Sequence, residues 1–103
     1  MSENITVDVS HSLGKEEASR RLKEGLARAG GQLGSLITVE HATWQGDVLS
    51  LRMHALGQSA TATIEVLENA LRIRMALPWL LAKAANRLLP MLRKEATRLL
   101  ERR

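Results

Sequence analysis

The chain has 103 residues, of which 45% are hydrophobic and 25% are charged, a composition typical of one globular domain rather than of a disordered segment. It has no cysteine, which excludes disulfides, thiolate catalysis and cysteine-bound zinc, and its aromatic residues are two tryptophans. The net charge of +4 comes from the C-terminal segment, because residues 1–77 hold eight basic and nine acidic side chains whereas residues 78–103 hold seven and two.

The first elements predicted are a short strand and an amphipathic helix. Ile5, Val7 and Val9 alternate with polar residues, the period of a half-buried strand. Ser12 is the expected N-cap of the helix that follows, since two glutamates then lie near the positive end of the helix dipole. The Gly30-Gly31 pair should end this helix. Its buried stripe is predicted as Ala18, Leu22, Leu26, Ala29 and Leu33.

The next strand, about Leu36 to Thr43, can join its successor in two registers. A two-residue loop would point Ile37 and Val39 to water. A three-residue loop, Trp44-Gln45-Gly46, with its glycine in a G1-type bulge, would bury both and would also place His41 on the apolar face. Because burial of each aliphatic side chain is worth about 1.5–3 kcal/mol, we expect the three-residue loop.

Three further stretches in residues 48–77 repeat one alternation of apolar and polar residues, which predicts an antiparallel meander with one buried face. A turn at Gly57-Gln58 would set Leu51 opposite Ile64, and a second turn at Glu68-Asn69 would lead into the last strand. The side chains expected on the buried face are Leu49, Leu51, Met53, Ala55, Ala60, Ala62, Ile64, Val66, Leu71, Ile73, Met75 and Leu77.

The closing helix is predicted to begin at Pro78, which suits a first helical turn, and to be kinked or split at Pro90, which lacks a backbone donor. Its buried stripe is predicted as Leu81, Ala85, Leu88, Leu92, Ala96 and Leu99. The predicted fold is therefore one α+β domain over residues 1–103, in the order β-α-β-β-β-β-α. It has a five-stranded antiparallel sheet with both helices packed on one face.

Groups that could carry chemistry are few, and we predict neither an enzyme nor a cofactor or metal site. His41, expected on the core face, and His54, expected on the solvent face, could not share a metal ion. Asp8 and the Ser10-His11-Ser12 run contain the residue types of a catalytic triad. Because neighbours in one strand and turn rarely converge on a substrate, capping and turn formation are the roles expected for them.

The helix after Leu77 is the best candidate for a functional surface, because its apolar residues exceed the needs of one buried face. Such a helix can lie on an apolar or anionic surface, with the stems of its basic side chains against that surface. The simpler interpretation is that it only covers the sheet, and its surplus apolar residues could equally form a homodimer interface. The predicted docking residues are Leu80, Lys83, Arg87, Leu89, Met91, Arg93, Lys94, Arg98 and Leu100.

Anionic partners are a second possibility. The solvent face of the sheet should carry Arg52, His54, Arg72 and Arg74, which could form an anion-binding patch, although a solvated face is the simpler interpretation. Specific nucleic-acid recognition is not expected, because stacking aromatic residues are scarce. Weak, salt-dependent contact of nucleic acid with the basic helix is the alternative that remains.

No secretory signal or transmembrane segment is predicted. Residues 1–9 lack a basic segment followed by an apolar run. The longest apolar stretch, residues 76–85, is too short to span a bilayer and is interrupted by Pro78 and Lys83. A cytoplasmic location is therefore expected.

Several short motifs, taken in order, resemble one family. They are His11-Ser12-Leu13-Gly14 with Glu17-Ala18 after a first strand, Trp44-Gln45-Gly46-Asp47 at a hairpin, Gly57 at the next turn, and Leu77-Pro78 before the last helix. In order and spacing the chain resembles the putative polyhydroxyalkanoic acid system proteins, small bacterial proteins linked with polyester storage granules. The resemblance implies a cytoplasmic protein attached to polyhydroxyalkanoate granules or to their other proteins. It brings no catalytic residues.

We therefore predict a non-enzymatic accessory protein of polyhydroxyalkanoate storage that docks on granules or granule proteins through its C-terminal helix. The alternative is a carrier that holds a small apolar ligand between the sheet and the helices. A core with no void of ligand size would argue against a carrier.

Overall fold

An antiparallel sheet covered on one face by helices forms the structure, a computed structural model that describes residues 2–33 and 37–101. In chain order the elements are β1 (Ser2–Ser10), α1 (Lys15–Ala29), β2 (Gln32–Leu33), β3 (Ile37–Gln45), β4 (Val48–Ala55), β5 (Gln58–Val66), β6 (Ala70–Pro78), α2 (Trp79–Lys83) and α3 (Ala85–Glu101). The strands lie in the order β1-β6-β5-β4-β3-β2. The predicted α+β class and five-stranded antiparallel sheet are confirmed, and the two-residue strand β2 extends the sheet at one edge.

The alternation read from the sequence places the core on one face of the sheet. In β4, Leu49, Leu51 and Met53 are buried, whereas the residues between them are exposed. Leu22 of α1 and Leu92 of α3 meet at a small void above Leu51, so both long helices cover this same face. The prediction that the helices share one face of the sheet is therefore confirmed.

Helix α1 begins at Lys15, and the prediction that Ser12 is its N-cap is wrong. The N-cap residue is Gly14, at a φ of 80°, and no side chain caps the first turn. A side chain at this position would adopt a left-handed conformation and would place its Cβ 3.4 Å from Glu68 Oε1, which explains the glycine. The predicted end of the helix is confirmed, because Gly30 is a left-handed C-cap.

The loop between β3 and β4 differs from the prediction. It has two residues, Gly46-Asp47, with Gln45 opposite Val48, and the three-residue loop from Trp44 to Gly46 is not formed. Gly46 has a φ of 60°, as short hairpin loops require if they are to match the twist of the flanking strands.

A bulge does occur in this hairpin, but at Glu40 in the middle of β3 rather than at the turn. It allows Ile37 and Trp44, which are seven residues apart, both to lie on the core face, because one extra residue reverses the alternation. Ile37 is buried, as predicted. The placement of His41 on the core face is wrong, because the bulge turns this residue to the solvent face, where it is exposed and pairs with Arg52.

The turn between β4 and β5 lies at Leu56-Gly57, one residue earlier than predicted. Leu51 is therefore opposite Ala62 and not Ile64. The shift in pairing is two residues, so every side chain stays on its predicted face. The turn at Glu68-Asn69 between β5 and β6 is confirmed by the pairing of the strands on either side of it.

The C-terminal helix is interrupted, but not where the sequence suggested. Pro78 is the last residue of β6 and the N-cap of α2, so it lies just before the first helical turn. The interruption is at Ala84, whose N–H bonds to the carbonyl of Leu81 at 3.0 Å in a tightened last turn. Helix α3 continues through Pro90, so the prediction of a split there is wrong. Pro90 is exposed, where water can bond the carbonyl that its missing N–H leaves unpaired.

Candidate functional site

The nine residues predicted to dock on a surface do not share one side of the C-terminal helices. Leu89 and Met91 are half-buried against the core, and Leu100 is buried, with 3% of its surface exposed. These apolar residues therefore mainly hold α3 on the sheet. The exposed members of the set are Leu80, Lys83, Arg87, Arg93, Lys94 and Arg98.

The basic side chains of this set divide into paired and unpaired groups. Arg93 Nη1 donates to the carbonyl oxygen of Asp8 at 3.4 Å, and Arg98 Nη1 lies 3.3 Å from Glu95 Oε2. In residues 2–33 and 37–101, no carboxylate lies within 4.0 Å of the side-chain cations of Lys83, Arg87 and Lys94.

Among the residues whose side chains the structure describes, the large exposed apolar ones lie at one end of the molecule. They are Trp79, which is 58% exposed, Leu56 at 46% and Leu80 at 39%. Trp79 and Leu80 begin α2, directly after β6, and Leu56 is at the tip of the β4–β5 hairpin, which reaches the same end of the sheet. Lys83 Nζ lies 5.1 Å from the centroid of the Trp79 ring. We call Leu56, Trp79 and Leu80 the apolar end.

Leu56 has a backbone conformation that its side chain disfavours. Its φ is 52° and that of Gly57 is 77°, the signs found in a type I′ turn, where asparagine, aspartate or glycine is the usual first residue. A leucine there bears a steric cost of about 1 kcal/mol and gains little burial. Sequence reasoning missed Leu56 and Trp79, although a leucine before the turn glycine was a visible signal.

Two of the four motifs that carry the family resemblance meet at the opposite end. His11 Nε2 lies 3.1 Å from the carbonyl oxygen of Leu67, and His11 Nδ1 accepts from the Leu13 N–H at 3.1 Å. Lys15 Nζ lies 3.4 Å from Asp47 Oδ2, so the first turn is also tied to the β3–β4 hairpin. His11 therefore has the turn-forming role that was predicted for it.

The open face of the sheet carries the arginines that were predicted there. Arg72 Nε donates to Asp8 Oδ1 at 3.1 Å, and this hydrogen bond raises the pKa of Arg72 above its ordinary value. Arg74 Nη1 lies 3.7 Å from Glu65 Oε1. Within residues 2–33 and 37–101, no carboxylate pairs with Arg52, whose neighbour on β3 is His41.

Within the described residues, the interface between the sheet and the helices shows no void of ligand size. Two cavities of about 30 and 20 Å³ lie there, lined by aliphatic and methionine side chains. A ligand pocket usually measures about 300–1,000 Å³, and each of these is near the size of one water molecule. The geometry therefore argues against the carrier with an interior pocket.

Two further findings concern metals and membranes. No three histidine, aspartate or glutamate side chains come together as metal ligands in the part of the chain that the structure describes. None of the helices in that part is both long enough and apolar enough to cross a lipid bilayer.

A family model described as putative polyhydroxyalkanoic acid system protein matches residues 5–100. The chain belongs to this family, and the resemblance seen in its motifs is confirmed. No curated protein and no solved structure matches the chain at a significant level. The link with polyhydroxyalkanoate thus comes from the family.

Proposed function

We propose that this member of the polyhydroxyalkanoic acid system family is a non-enzymatic accessory protein that attaches to the surface of polyhydroxyalkanoate granules. The attachment site is the apolar end, with Lys83 and Arg87 beside it. The observation that carries the proposal is the collection of Leu56, Trp79 and Leu80, all exposed, at one end of the fold.

The chemistry of the apolar end suits the boundary between water and an apolar solid. Tryptophan has an apolar body with a polar N–H, and a lysine beside it can lay its stem along the surface while its charge stays in water. Lys83 is in that position relative to Trp79. Monomeric proteins seldom expose several large apolar side chains together without a partner.

The expected strength of attachment is modest. Full burial of one leucine or tryptophan side chain is worth about 1.5–3 kcal/mol, and these three side chains are already partly covered. Their combined contribution is therefore on the order of 3–4 kcal/mol. Attachment through one molecule should be reversible, and it should be strengthened by unpaired basic side chains if the granule surface is anionic.

The strain at Leu56 supports the same proposal. Asparagine would fit the turn better, so a leucine with nearly half of its surface exposed does not serve the stability of the fold. A retained local cost of this kind is expected where a side chain serves contact with a partner.

The two tryptophans allow a matched test. Each has a lysine over its ring, Lys83 over Trp79 and Lys23 over Trp44 at 4.8 Å, but they lie at opposite ends of the sheet. Trp79→Ala should lower co-sedimentation with isolated granules about tenfold, whereas Trp44→Ala should leave it unchanged at a temperature where both variants are folded. Equal losses in the two variants, or no loss in Trp79→Ala, would contradict the proposal.

Leu56→Asn separates attachment from folding. It should raise the free energy of unfolding by about 0.5–1 kcal/mol, because asparagine tolerates the left-handed conformation, and it should weaken granule binding severalfold. A second binding assay with protein-free polyester particles then identifies what the protein contacts on the granule, the polymer or a granule protein. Binding to them supports direct attachment to the polymer, and binding to native granules alone would show that a granule protein is the partner and overturn the polymer contact.

A further inference from the structure

The open face of the sheet can be mapped row by row from the strand register. Two adjacent rows at its centre are almost entirely polar and contain no carboxylate. One row is His41, Arg52, Thr61, Ala76 and Asn4. The next row is Thr43, Ser50, Thr63, Arg74 and Thr6.

Charge on this face is separated along the strands. The acidic side chains Asp8 and Glu65 lie in the following row, toward the His11 end, and are engaged by Arg72 and Arg74. Among the described residues, no carboxylate lies within 4.0 Å of the Arg52 guanidinium. An exposed guanidinium among hydroxyl groups, with no acidic partner, is complementary to an anion that can accept two parallel hydrogen bonds.

The two rows line a shallow, open groove of about 670 Å³ on the face of the sheet. A second depression shares Arg52, Thr61 and Ala76 with it and continues to Pro78 and Trp79. The groove therefore runs from a guanidinium, past threonine hydroxyls, to an exposed indole ring.

We infer that this groove binds a monocarboxylate with an acyl chain, the carboxylate on Arg52 and the chain directed toward Trp79. A single charge is required, because Glu40 lines the same depression as Trp79 and would repel a second negative group there. Arg52 lies two strands from Ala76, roughly 10 Å across the sheet, and Trp79 is three residues further along, roughly another 10 Å, so the diagonal is roughly 14 Å. A carboxylate with a chain of about ten carbons, hydrogen-bonded to the guanidinium, is of this length. The site does not depend on the proposed granule attachment, although Trp79 borders both surfaces.

The test is titration calorimetry of the whole chain with decanoate below its micelle concentration, beside decanol and acetate. Decanoate should bind, and decanol, which lacks the charge, and acetate, which lacks the chain, should each bind at least tenfold more weakly. Arg52→Gln should weaken decanoate binding tenfold or more, because a charge-assisted pair is lost. The matched control, Arg28→Gln, removes an exposed arginine on α1 and should change nothing.

Several results would overturn the inference. They are equal binding of decanol and decanoate, unchanged binding in a folded Arg52→Gln variant, or an equal loss in Arg28→Gln. Binding of an acidic peptide or a second copy of the chain at Arg52, without decanoate binding, would do so as well. Failure of this site and failure of granule attachment are distinguishable. Arg52→Gln should sediment with granules as the wild-type chain does, whereas Leu80→Gln should sediment severalfold less and should still bind decanoate.

Discussion

Gly25 of α1 lies directly against Leu99 of α3, so the effect of adding a methyl group there on stability can be predicted. It is buried in the middle of α1. A Cβ built there would overlap Leu99 Cδ2 and would lie 3.3 Å from both Cβ and Cγ of Leu99 on α3. Rotation of the Leu99 side chain could move its methyl groups and Cγ, but Cβ moves only with the helix itself.

Gly25→Ala changes the free energy of unfolding through two opposing effects. Alanine is favoured over glycine in a helix interior by about 0.8–1.0 kcal/mol, whereas one extra methyl group in a packed core costs about 1–3 kcal/mol. The packing cost should win, so we expect a net loss of about 1 kcal/mol in the free energy of unfolding. The melting temperature should then fall by about 4–8 °C.

Urea unfolding followed by circular dichroism measures these changes, with two companion variants. Ala27→Gly changes an exposed position of the same helix and should cost about 1 kcal/mol, which calibrates the propensity effect in α1 itself. Leu99→Ala should cost about 2–5 kcal/mol but removes Cγ and Cδ2, and so leaves only the Cβ contact at 3.3 Å. In that background Gly25→Ala should become stabilising, a reversal of sign that reports direct coupling. A stabilising Gly25→Ala in the wild-type chain would refute the close approach of the helices.

Three other changes have definite expected outcomes. Hydrogen bonds from Arg20 and then Arg21 lower the pKa of Glu17 from 4.5 to about 2. The stability that this ionised group contributes should be complete above pH 4.5 and should be lost as the pH falls toward 2, so Glu17→Gln should flatten acid unfolding curves in that window. His11→Ala leaves two half-buried backbone groups without a partner and should cost about 1–3 kcal/mol in urea unfolding. Pro90→Ala restores a helical N–H and should raise the melting temperature, and a lower value would show that α3 is bent to fit the proline.

The side of the sheet on which each side chain lies was predictable from the sequence. Which residues lie opposite each other on neighbouring strands was less predictable. Leu51 was placed on the buried face correctly, although its partner is Ala62, because a shift of two residues leaves the alternation intact. His41 was placed wrongly, because the bulge at Glu40 shifts the register by one. A glycine signals a bulge at a turn, but a bulge at a glutamate inside a strand has no local signal, since it is set by which side chains the core can accept.

The residue types of the candidate surface were predictable from the sequence, but which of these side chains are exposed was not. The excess of apolar residues after Leu77 was visible, but periodicity could not show that Leu100 is used by the core while Trp79 is left outside. That division depends on the interruption at Ala84, which separates α2 from α3. Leu56 joins the surface only through the position of a hairpin tip, which is a tertiary feature.

The protection of both sheet edges is a physical argument for attachment through the apolar end. A long unpaired edge strand invites pairing with another chain. At one edge, Arg93 bonds a carbonyl oxygen of β1, and both α2 and α3 contact that strand. At the other edge, β2 covers the start of β3 and the bulge at Glu40 interrupts the rest. Both edges are thus protected against pairing with a strand of another chain. A surface or partner would therefore be contacted by exposed side chains. Among the described residues, the large apolar side chains that are exposed are those of Leu56, Trp79 and Leu80.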